Sequence, residues 1–171
     1  GFNHRFHPAV LEAKRLIDSD EIGDVINIRA RYGHGGRPGY ENEWRCSKEI
    51  SGGGELLDQG VHLIDLCRWF SGDVKEVFGI TDTLYWPIEV EDNAIFIMRH
   101  QNKIISHCHV SWTNWKNIFS FEIFGKTGYI HIEGLGGSYG FEKLIVGKRS
   151  SAGGAPTIKT ENFPESDNSW K

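Results

Sequence analysis

The sequence predicts an α+β fold: an open, mixed and largely antiparallel sheet of about six to eight strands, with helices on one face. Three observations support it. Apolar residues recur at helical spacing in two early segments, 8–22 and 56–70. From residue 74 onward the apolar period becomes two, and turn residues separate short runs. The 171 residues, 39% hydrophobic and 25% charged, suffice for one sizeable core.

The first helix is predicted from Pro8 to just before Gly23, because proline suits a first helical turn and glycine breaks the run. Its apolar positions at helical spacing are Val10, Ala13, Leu16 and Ile17. The alternating segment "VINIRARYG" then predicts a strand. The glycine-rich, aromatic and charged segment "HGGRPGYENEWRCSKEISGGG" predicts a long loop of the kind that often carries function.

The second helix, predicted from Leu56 to Phe70, carries one polar stripe. At about 100° per residue, Asp58, His62 and Asp65 fall on one line while most of the circumference is apolar. A largely buried helix must direct such a stripe at a cleft or a polar partner, because unpaired buried charge is costly. Three readings stay open: a structural set with a helix N-terminal acid, an Asp-His-Asp metal site, or a cleft-facing acid–base pair.

The remaining chain predicts a run of short strands. They are "VKEVFGITDTLYW", "DNAIFIMRH", "KIISHCHVSWT", "IFSFEIFG", "GYIHIEG" and "FEKLIVGK", with "SSAGGAPT" as a flexible excursion between the last strands. Both faces of this sheet carry apolar residues, yet two helices can cover only one. A second copy of the chain is therefore expected on the open face, giving a homodimer or larger oligomer.

Composition argues against several classes of partner. The net charge of −4 gives no basic surface for nucleic acid. No apolar run approaches a membrane span, and no signal peptide opens the chain. Three cysteines without a Cys-x-x-Cys pair predict reduced thiols in a cytoplasmic protein. His107 and His109 share a strand face at a spacing that metals use, but no third ligand is evident, so no metal is predicted.

Three motifs together carry a family resemblance. The segment "GGGELLDQGVHLIDLCRWF" resembles the signature of the glucose–fructose oxidoreductase/inositol dehydrogenase/MocA family, a glycine cluster followed by Asp-x-Gly-x-His-x-x-Asp on a helix. The opening "GFNHRFHP" resembles the crossing from that family's nucleotide-binding domain into its second domain. "NEWR" resembles its Trp-Arg element before the glycines.

The resemblance implies the substrate-binding and dimerisation domain of an NAD(P)-dependent oxidoreductase that acts on a sugar, inositol or sugar-nucleotide. It makes His62 the general acid/base at the reacting hydroxyl or carbonyl, and Asp58 a substrate-binding residue that supports it. It places Asn3, Trp44 and Arg45 near the nicotinamide or the substrate, although a turn, a packed ring and a surface cation are equally ordinary roles for them.

Parts of the family pattern are not found in this chain. "GHGGRPG" follows a strand but opens no helix, so it is no dinucleotide fingerprint, and no Glu-Lys-Pro segment occurs. The chain starts without methionine and stops at "DNSWK", where a polar Asn-Ser followed by Trp170 resembles the start of a helix. Residues 1–171 are therefore expected to be a single C-terminal domain excised from a longer chain, without the Rossmann domain and C-terminal tail, inactive alone and binding NAD or NADP only weakly.

The sequence leaves two alternatives open. In "SWTNWKN" a strand ends beside Trp112 and Lys116, where an aromatic ring either stacks on a sugar or packs at the core edge. The alternative function is a non-catalytic carbohydrate- or protein-binding module that only dimerises. The presence of both Asp58 and His62 favours the enzyme, since a scaffold has no need of them.

Overall fold

A computed structural model describes residues 1–163 and Ser169, so the helix start predicted at Trp170 lies outside the described residues. Among them, eight strands form one sheet. They are β1 (Val25–Gly33), β2 (Val74–Asp82), β3 (Asn93–His100), β4 (Ile105–Ser111), β5 (Ile118–Gly125), β6 (Gly128–Glu133), β7 (Glu142–Lys148) and β8 (Thr157–Phe163). The order is β2-β3-β4-β1-β5-β6-β7-β8. β1 and β4 pair in parallel and the other neighbours pair antiparallel, which confirms the predicted fold class.

The helices precede most of the strands. They are α1 (Pro8–Asp18), α2 (Lys48–Ser51) and α3 (Val61–Ser71), with 3₁₀ turns at Asn3–Phe6, Tyr40–Asn42 and Trp44–Cys46 and a π-helical turn at Leu56–Gly60. α1 ends earlier than the sequence predicts. The Ser19 hydroxyl donates to the Leu16 carbonyl, and Asp20 takes a left-handed φ of 59°, which turns the chain before Gly23.

The core lies between the sheet and the two longer helices, α1 and α3. Their inward residues are fully buried against the sheet, among them Ala9, Val10, Ala13, Leu63, Leu66 and Cys67. The sheet contributes residues that alternate toward the same side, including Phe96, Met98, Phe119 and Phe121. Burying this apolar area is the main favourable contribution to folding.

The other face of the sheet differs from the expectation of an apolar surface. Its centre is polar: the Arg29–Glu122 ion pair lies beside His107 and His131. The apolar residues gather at one end, on the edge strand β2 and its neighbour β3. They are Phe78, Ile80, Ile95 and Ile97, all exposed. The open face therefore offers a compact apolar patch rather than a second apolar layer.

The described residues contain neither a helix that could span a membrane nor a cluster that could bind a metal. None of the helices there has the length and apolar character that crossing a membrane requires. No group of three or more His, Cys, Asp and Glu side chains in this part of the chain could hold a metal, so the Asp-His-Asp metal reading is wrong for it. His107 and His109 do share one strand face, but His109 contacts the Asn93 side chain at 3.2 Å instead of a third metal ligand.

Candidate active site

The glycine cluster lets the motif helix begin against a neighbouring loop. A Cβ on Gly54 would lie 2.0 Å from the Glu91 carbonyl oxygen, so only glycine allows this approach. The Glu91 carboxylate then accepts hydrogen bonds from the Gly54 and Leu56 amides at 3.0 and 3.1 Å. Amides at the start of a helix lack partners within the helix, and here one carboxylate satisfies two of them. The start of the motif helix is thereby fixed.

Asp58 lies in the π-helical turn that follows, a geometry frequent at functional sites. Its side chain is 30% exposed, and its Oδ2 lies 3.2 Å from Nε of Arg45. Arg45 in turn lies over the ring of Trp44, 4.6 Å from its centroid. The "NEWR" segment thus supplies a cation that holds the Asp58 carboxylate at the surface of the cleft.

His62 follows on the first turn of α3 and stacks on His4. The two ring centroids are 3.9 Å apart and the planes differ by 16°. Burial lowers the pKa of His62 below its ordinary value, although Asp58 and Asp65 act in the opposite direction. Its Nδ1 atom is buried and has no hydrogen-bond partner among the described residues. A neutral imidazole of this kind is able to accept a proton near neutral pH.

Asp65, the third member of the stripe, has a structural role. Arg5 binds its carboxylate through two hydrogen bonds of 2.7 and 2.5 Å, and the guanidinium also lies 5.5 Å from the ring centroid of Trp69. Bidentate pairs of this geometry fix orientation as well as adding energy. The Arg5–Asp65 ion pair holds the N-terminal 3₁₀ turn against α3, and this places the His4 ring against the His62 ring.

Two cavities adjoin at Asp58. The His62 cavity, about 250 Å³, is lined by Asn3, His4 and His62 among others. The His34 cavity, about 330 Å³, is lined by His34, Arg37 and Glu43 among others. They share a wall made of Arg45, Asp58, Gln59 and Tyr139. Together they form a polar cleft of the size range in which small ligands bind.

The shared wall holds a short hydrogen-bond chain. Gln59 donates through Nε2 to the Tyr139 hydroxyl at 2.6 Å. The Gln59 side-chain carbonyl, Oε1, is buried and has no hydrogen-bond partner in the described part of the chain. Burial raises the pKa of Tyr139, so its hydroxyl stays protonated at neutral pH. The wall therefore offers a ligand the protonated Tyr139 hydroxyl and the partly exposed Asp58 carboxylate, whereas Gln59 Oε1 lies below the surface.

Glu55 lies behind this wall and is completely buried. Neither carboxyl oxygen makes a well-formed hydrogen bond with a described residue. Burial, followed by repulsion from Asp58, raises its pKa well above the usual range, against the weaker influence of the Ser111 backbone and the Trp112 indole. Burial therefore favours the protonated form of Glu55 over the ionised form.

The structure brings together most of the predicted site residues. Asn3 lines the His62 cavity and donates through Nδ2 to the Ser169 hydroxyl at 2.9 Å. Arg45 lines both cavities, and Trp44 supports it from an exposed position. These residues meet because the N-terminal turn and the loop after β1 both pack beside the motif helix.

Two predicted substrate-binding residues do not line this cleft. Trp112 is 0% exposed and packs with Tyr40, Cys46 and Val90, so its ring is a core residue and cannot stack on a sugar. Lys116 is exposed and lines a neighbouring cavity, together with Arg31 and His131, which shares Tyr139 with the cleft. Stacking at the end of a strand was the wrong interpretation for Trp112, because the loop around Val90 covers that ring.

Four residues that line the cleft were not identified as site residues from the sequence: His34, Glu43, Gln59 and Tyr139. Gln59 sits between two motif residues in "DQG", and this adjacency was a usable signal. Tyr139 lies in the β6–β7 connection, 80 residues from its partner Gln59, and no local pattern points to it.

Comparison with known proteins gives a consistent result. The sequence model of one protein family, the GFO/IDH/MocA C-terminal domain, matches residues 10–131, more than half of the chain. The levoglucosan dehydrogenase of Pseudarthrobacter phenanthrenivorans is 27% identical over 158 residues, which cover 75% of this chain and 40% of that protein. Inositol 2-dehydrogenase 2 of Saccharopolyspora erythraea is 26% identical over 112 residues, covering 61% and 29%.

Among solved structures, a levoglucosan dehydrogenase in complex with NADH and levoglucosan superposes with a TM-score of 0.81 at 25% identity. The match covers 95% of this chain and 46% of that one. GenD2 from gentamicin A biosynthesis in complex with NAD superposes with a TM-score of 0.71 at 28% identity, covering 80% and 40%. The chain thus spans less than half the length of these relatives.

Proposed function

The chain belongs to the glucose–fructose oxidoreductase/inositol dehydrogenase/MocA family as its C-terminal domain, and on that premise we propose that it is the substrate-binding and catalytic half of an NAD(P)-dependent sugar or polyol oxidoreductase. The observation that carries the proposal is that His62 and Asp58 line the same polar cleft. A neutral histidine beside a carboxylate is suited to moving one proton at a substrate hydroxyl.

In this proposal His62 accepts the proton of the hydroxyl as that carbon is oxidised, and returns it in the reverse reaction. Asp58 lies one turn earlier, accepts a hydrogen bond from the substrate and stabilises the imidazolium that forms. Arg45 orients Asp58, and Asn3 with Gln59 binds further hydroxyls. NAD⁺ or NADP⁺, when bound, accepts the hydride that leaves the carbon.

The described residues do not fit a dinucleotide pyrophosphate. Such groups bind at free helix N-termini behind a glycine-rich loop. Here the α1 terminus already donates from the Ala9 amide to Glu142 at 3.2 Å, and Glu91 occupies the start of the motif helix. We therefore assign cofactor binding to a nucleotide-binding domain outside residues 1–171, and expect no tight NADH binding by this chain.

The proposal extends to assembly and location. The exposed apolar patch of β2 and β3 supports association of two copies through the open sheet face. Cys46, Cys67 and Cys108 are free cysteines, and the Cys67 and Cys108 sulfur atoms lie 3.8 Å apart, within range of an S–H···S hydrogen bond. The odd number of cysteines without a Cys-x-x-Cys pair supports our proposal of a cytoplasmic location.

The direct test has two arms. The full-length protein, incubated with NAD⁺ or NADP⁺ and a panel of sugars, 1,6-anhydrosugars and inositols, is expected to form NAD(P)H, followed at 340 nm. Calorimetric titration of the 171-residue chain is expected to show no tight NADH binding, and sugar binding that is millimolar or weaker, on the order of 4 kcal/mol. Absence of turnover across the panel, with a folded protein that binds NADH, would favour the non-catalytic binding module.

A further inference from the structure

A third cavity adjoins the cleft. This Arg31 cavity, about 280 Å³, is lined by Arg31, Asn117 and Tyr139 among others, and it shares Asn117 and Tyr139 with the His34 cavity. Its walls come from β1, β5, β6 and β7 and from the β4–β5 and β6–β7 connections. Asn117 donates through Nδ2 to the Ser138 carbonyl at 2.8 Å, which joins these two connections. A ligand in the His34 cavity is therefore able to reach the Arg31 cavity past one shared boundary.

Cations dominate this cavity. Its charged lining residues are Arg31, Lys116, Lys143 and Glu133, a net charge of +2 in a chain whose net charge is −4. Lys143 lies 4.0 Å from the Glu133 carboxylate, at the limit of an ion pair. Arg31 and Lys116 form no ion pair with any residue that the structure describes. Two cations at the wall are thus left without a compensating anion.

The neighbours of Arg31 on the sheet do not neutralise it. His109 of β4 is its partner in register, and His131 of β6 lines the same cavity. Burial lowers the pKa of both histidines, and Arg31 acts in the same direction, so both rings are neutral at pH 7. The Glu122 carboxylate of β5 is already bound by Arg29 through hydrogen bonds of 2.6 and 2.7 Å. Arg31 therefore keeps its charge for a ligand.

The charge of the cavity matches that of a phosphate group. A phosphate ester carries about −1.5 to −2 at pH 7, whereas a carboxylate carries one charge and would leave the cavity positive. The guanidinium of Arg31 is a planar fork of N–H donors that fits two phosphate oxygens, and the Lys116 ammonium adds a point charge. None of the described lining residues belongs to a helix, so the cavity differs from a dinucleotide site, where phosphate meets a helix N-terminus.

From this charge balance and the shared boundary, we propose that the Arg31 cavity is a phosphate-binding site beside the cleft, with Arg31 and Lys116 as its binding residues. The phosphate is either free or belongs to an ester whose uncharged part lies in the cleft. The site goes beyond the proposed function and does not depend on it, because it rests on the charges of this chain alone.

Calorimetric titration of the full-length protein in phosphate-free buffer tests the site with three probes: inorganic phosphate, D-glucose 6-phosphate and D-glucose. Both phosphates are expected to bind, with an affinity that falls as salt is added, because salt screens exposed charges. Tighter binding of the ester than of inorganic phosphate and of glucose would show that the ligand spans the site and the cleft. Equal or weaker binding of the ester would identify free phosphate as the ligand.

Arg31→Gln/Lys116→Gln is the informative variant, because it removes both unpaired cations. It should weaken phosphate binding about tenfold or more, since contacts between charged groups and phosphate are the strong ones. Arg68→Gln/Lys75→Gln is the matched control: it removes one arginine and one lysine from exposed ion pairs outside the cavity and should leave the affinity unchanged. Should the double variant not fold, Lys116→Gln alone, exposed between β4 and β5, is expected to weaken binding severalfold.

Two results would overturn the site. One is the absence of binding of either phosphate to the wild-type protein at millimolar concentration. The other is an equal loss of affinity in the cavity variant and its control, which would mean that phosphate responds only to the overall charge. Neither result touches the proposed function, because no turnover is measured, and a protein without turnover would leave the phosphate site standing.

Discussion

The environment of His62 predicts how the rate of oxidation depends on pH. Burial lowers its pKa, so the neutral ring persists at pH values where an ordinary histidine begins to protonate. Sugar oxidation needs the neutral base. We predict that kcat/KM for oxidation stays level at pH 7 and declines only below the ordinary histidine pKa of about 6.5. The pH profile of the full-length enzyme measures this, and an acidic limb centred above that value would speak against His62 as the base.

Glu55 gives a second prediction at the scale of one residue. Its folded-state pKa is raised by burial, so folding is favoured while the carboxyl is protonated. The stabilising contribution is complete below the unfolded pKa of about 4.3 and is lost as pH rises toward the folded value. Glu55→Gln cannot ionise. The variant should therefore gain stability relative to wild type as pH increases, by up to about 1.4 kcal/mol per pH unit.

Urea unfolding of the chain at several pH values between 5 and 8 checks the Glu55 prediction. Glu49→Gln, at an exposed position on α2, controls for the loss of a surface charge. A constant stability difference between Glu55→Gln and wild type across this range would mean that Glu55 ionises normally.

Sequence patterns could predict site residues only where these lie close together along one element of the chain. Asp58 and His62 stand out because their spacing places them together on one helix. The partner of Asp65 could not be predicted, since Arg5 lies 60 residues away and meets it only through folding. Glu55 looked like an ordinary helix residue, and its burial depends on how the loop around Glu91 closes over it.

At the scale of elements, the glycines of the cluster are required for different reasons: Gly52 takes a left-handed φ of 78° at the end of α2, and Gly54 allows a close approach of backbone. A Cβ at Gly54 would meet backbone at 2.0 Å, whereas a Cβ at Gly53 would meet the flexible Leu57 side chain at 3.3 Å. Gly54→Ala should therefore lower the free energy of unfolding by about 1–3 kcal/mol, and Gly53→Ala by less.

Urea denaturation of the two alanine variants measures this difference. Gly54→Ala should also reduce turnover of the full-length protein, because it displaces the turn that carries Asp58. Equal stability of the two variants would contradict the role given to the Gly54–Glu91 contact.

The helical period predicted α1 and α3 well, and the period of two predicted β1 to β7. The π-helical turn at Leu56–Gly60 could not be predicted, because nothing in an apolar pattern reports a shift of the hydrogen bonds from i+4 to i+5. β8 was not singled out either. All but one of its residues are exposed or polar, since it is an edge strand that pairs with β7 alone.

At the scale of the whole molecule, the open sheet face predicts association. Phe78 and Ile80 are 67% and 76% exposed on the edge strand β2, beside Ile95 and Ile97 of β3. Burying such a patch between two copies removes apolar area from water. Sedimentation of the chain at micromolar concentration should give dimers or larger species.

The paired variant Phe78→Lys/Ile80→Lys should sediment as a folded monomer, because lysine on an edge strand opposes edge and face association. Lys75→Ala on the same strand serves as the control. A wild-type chain that is monomeric and well ordered at these concentrations would contradict the assembly proposal.

The overall architecture followed from the sequence because two periodicities and the order of elements restrict an α+β chain to few arrangements. The polar centre of the open face was not foreseen. Arg29, His107 and Glu122 come from three different strands, and only the register of the finished sheet places them side by side.

The central claim is that His62, supported by Asp58, moves the substrate proton. Steady-state turnover of the full-length protein carrying His62→Ala or Asp58→Asn tests it most directly, with Asp73→Asn, an exposed ion-paired aspartate between α3 and β2, as the control. Loss of the proton transfer should lower kcat by about 10²–10⁴-fold in His62→Ala, with a large loss also in Asp58→Asn. The control should retain wild-type turnover. Near-normal kcat in both cleft variants would contradict the account and return Asp58 and His62 to a structural role.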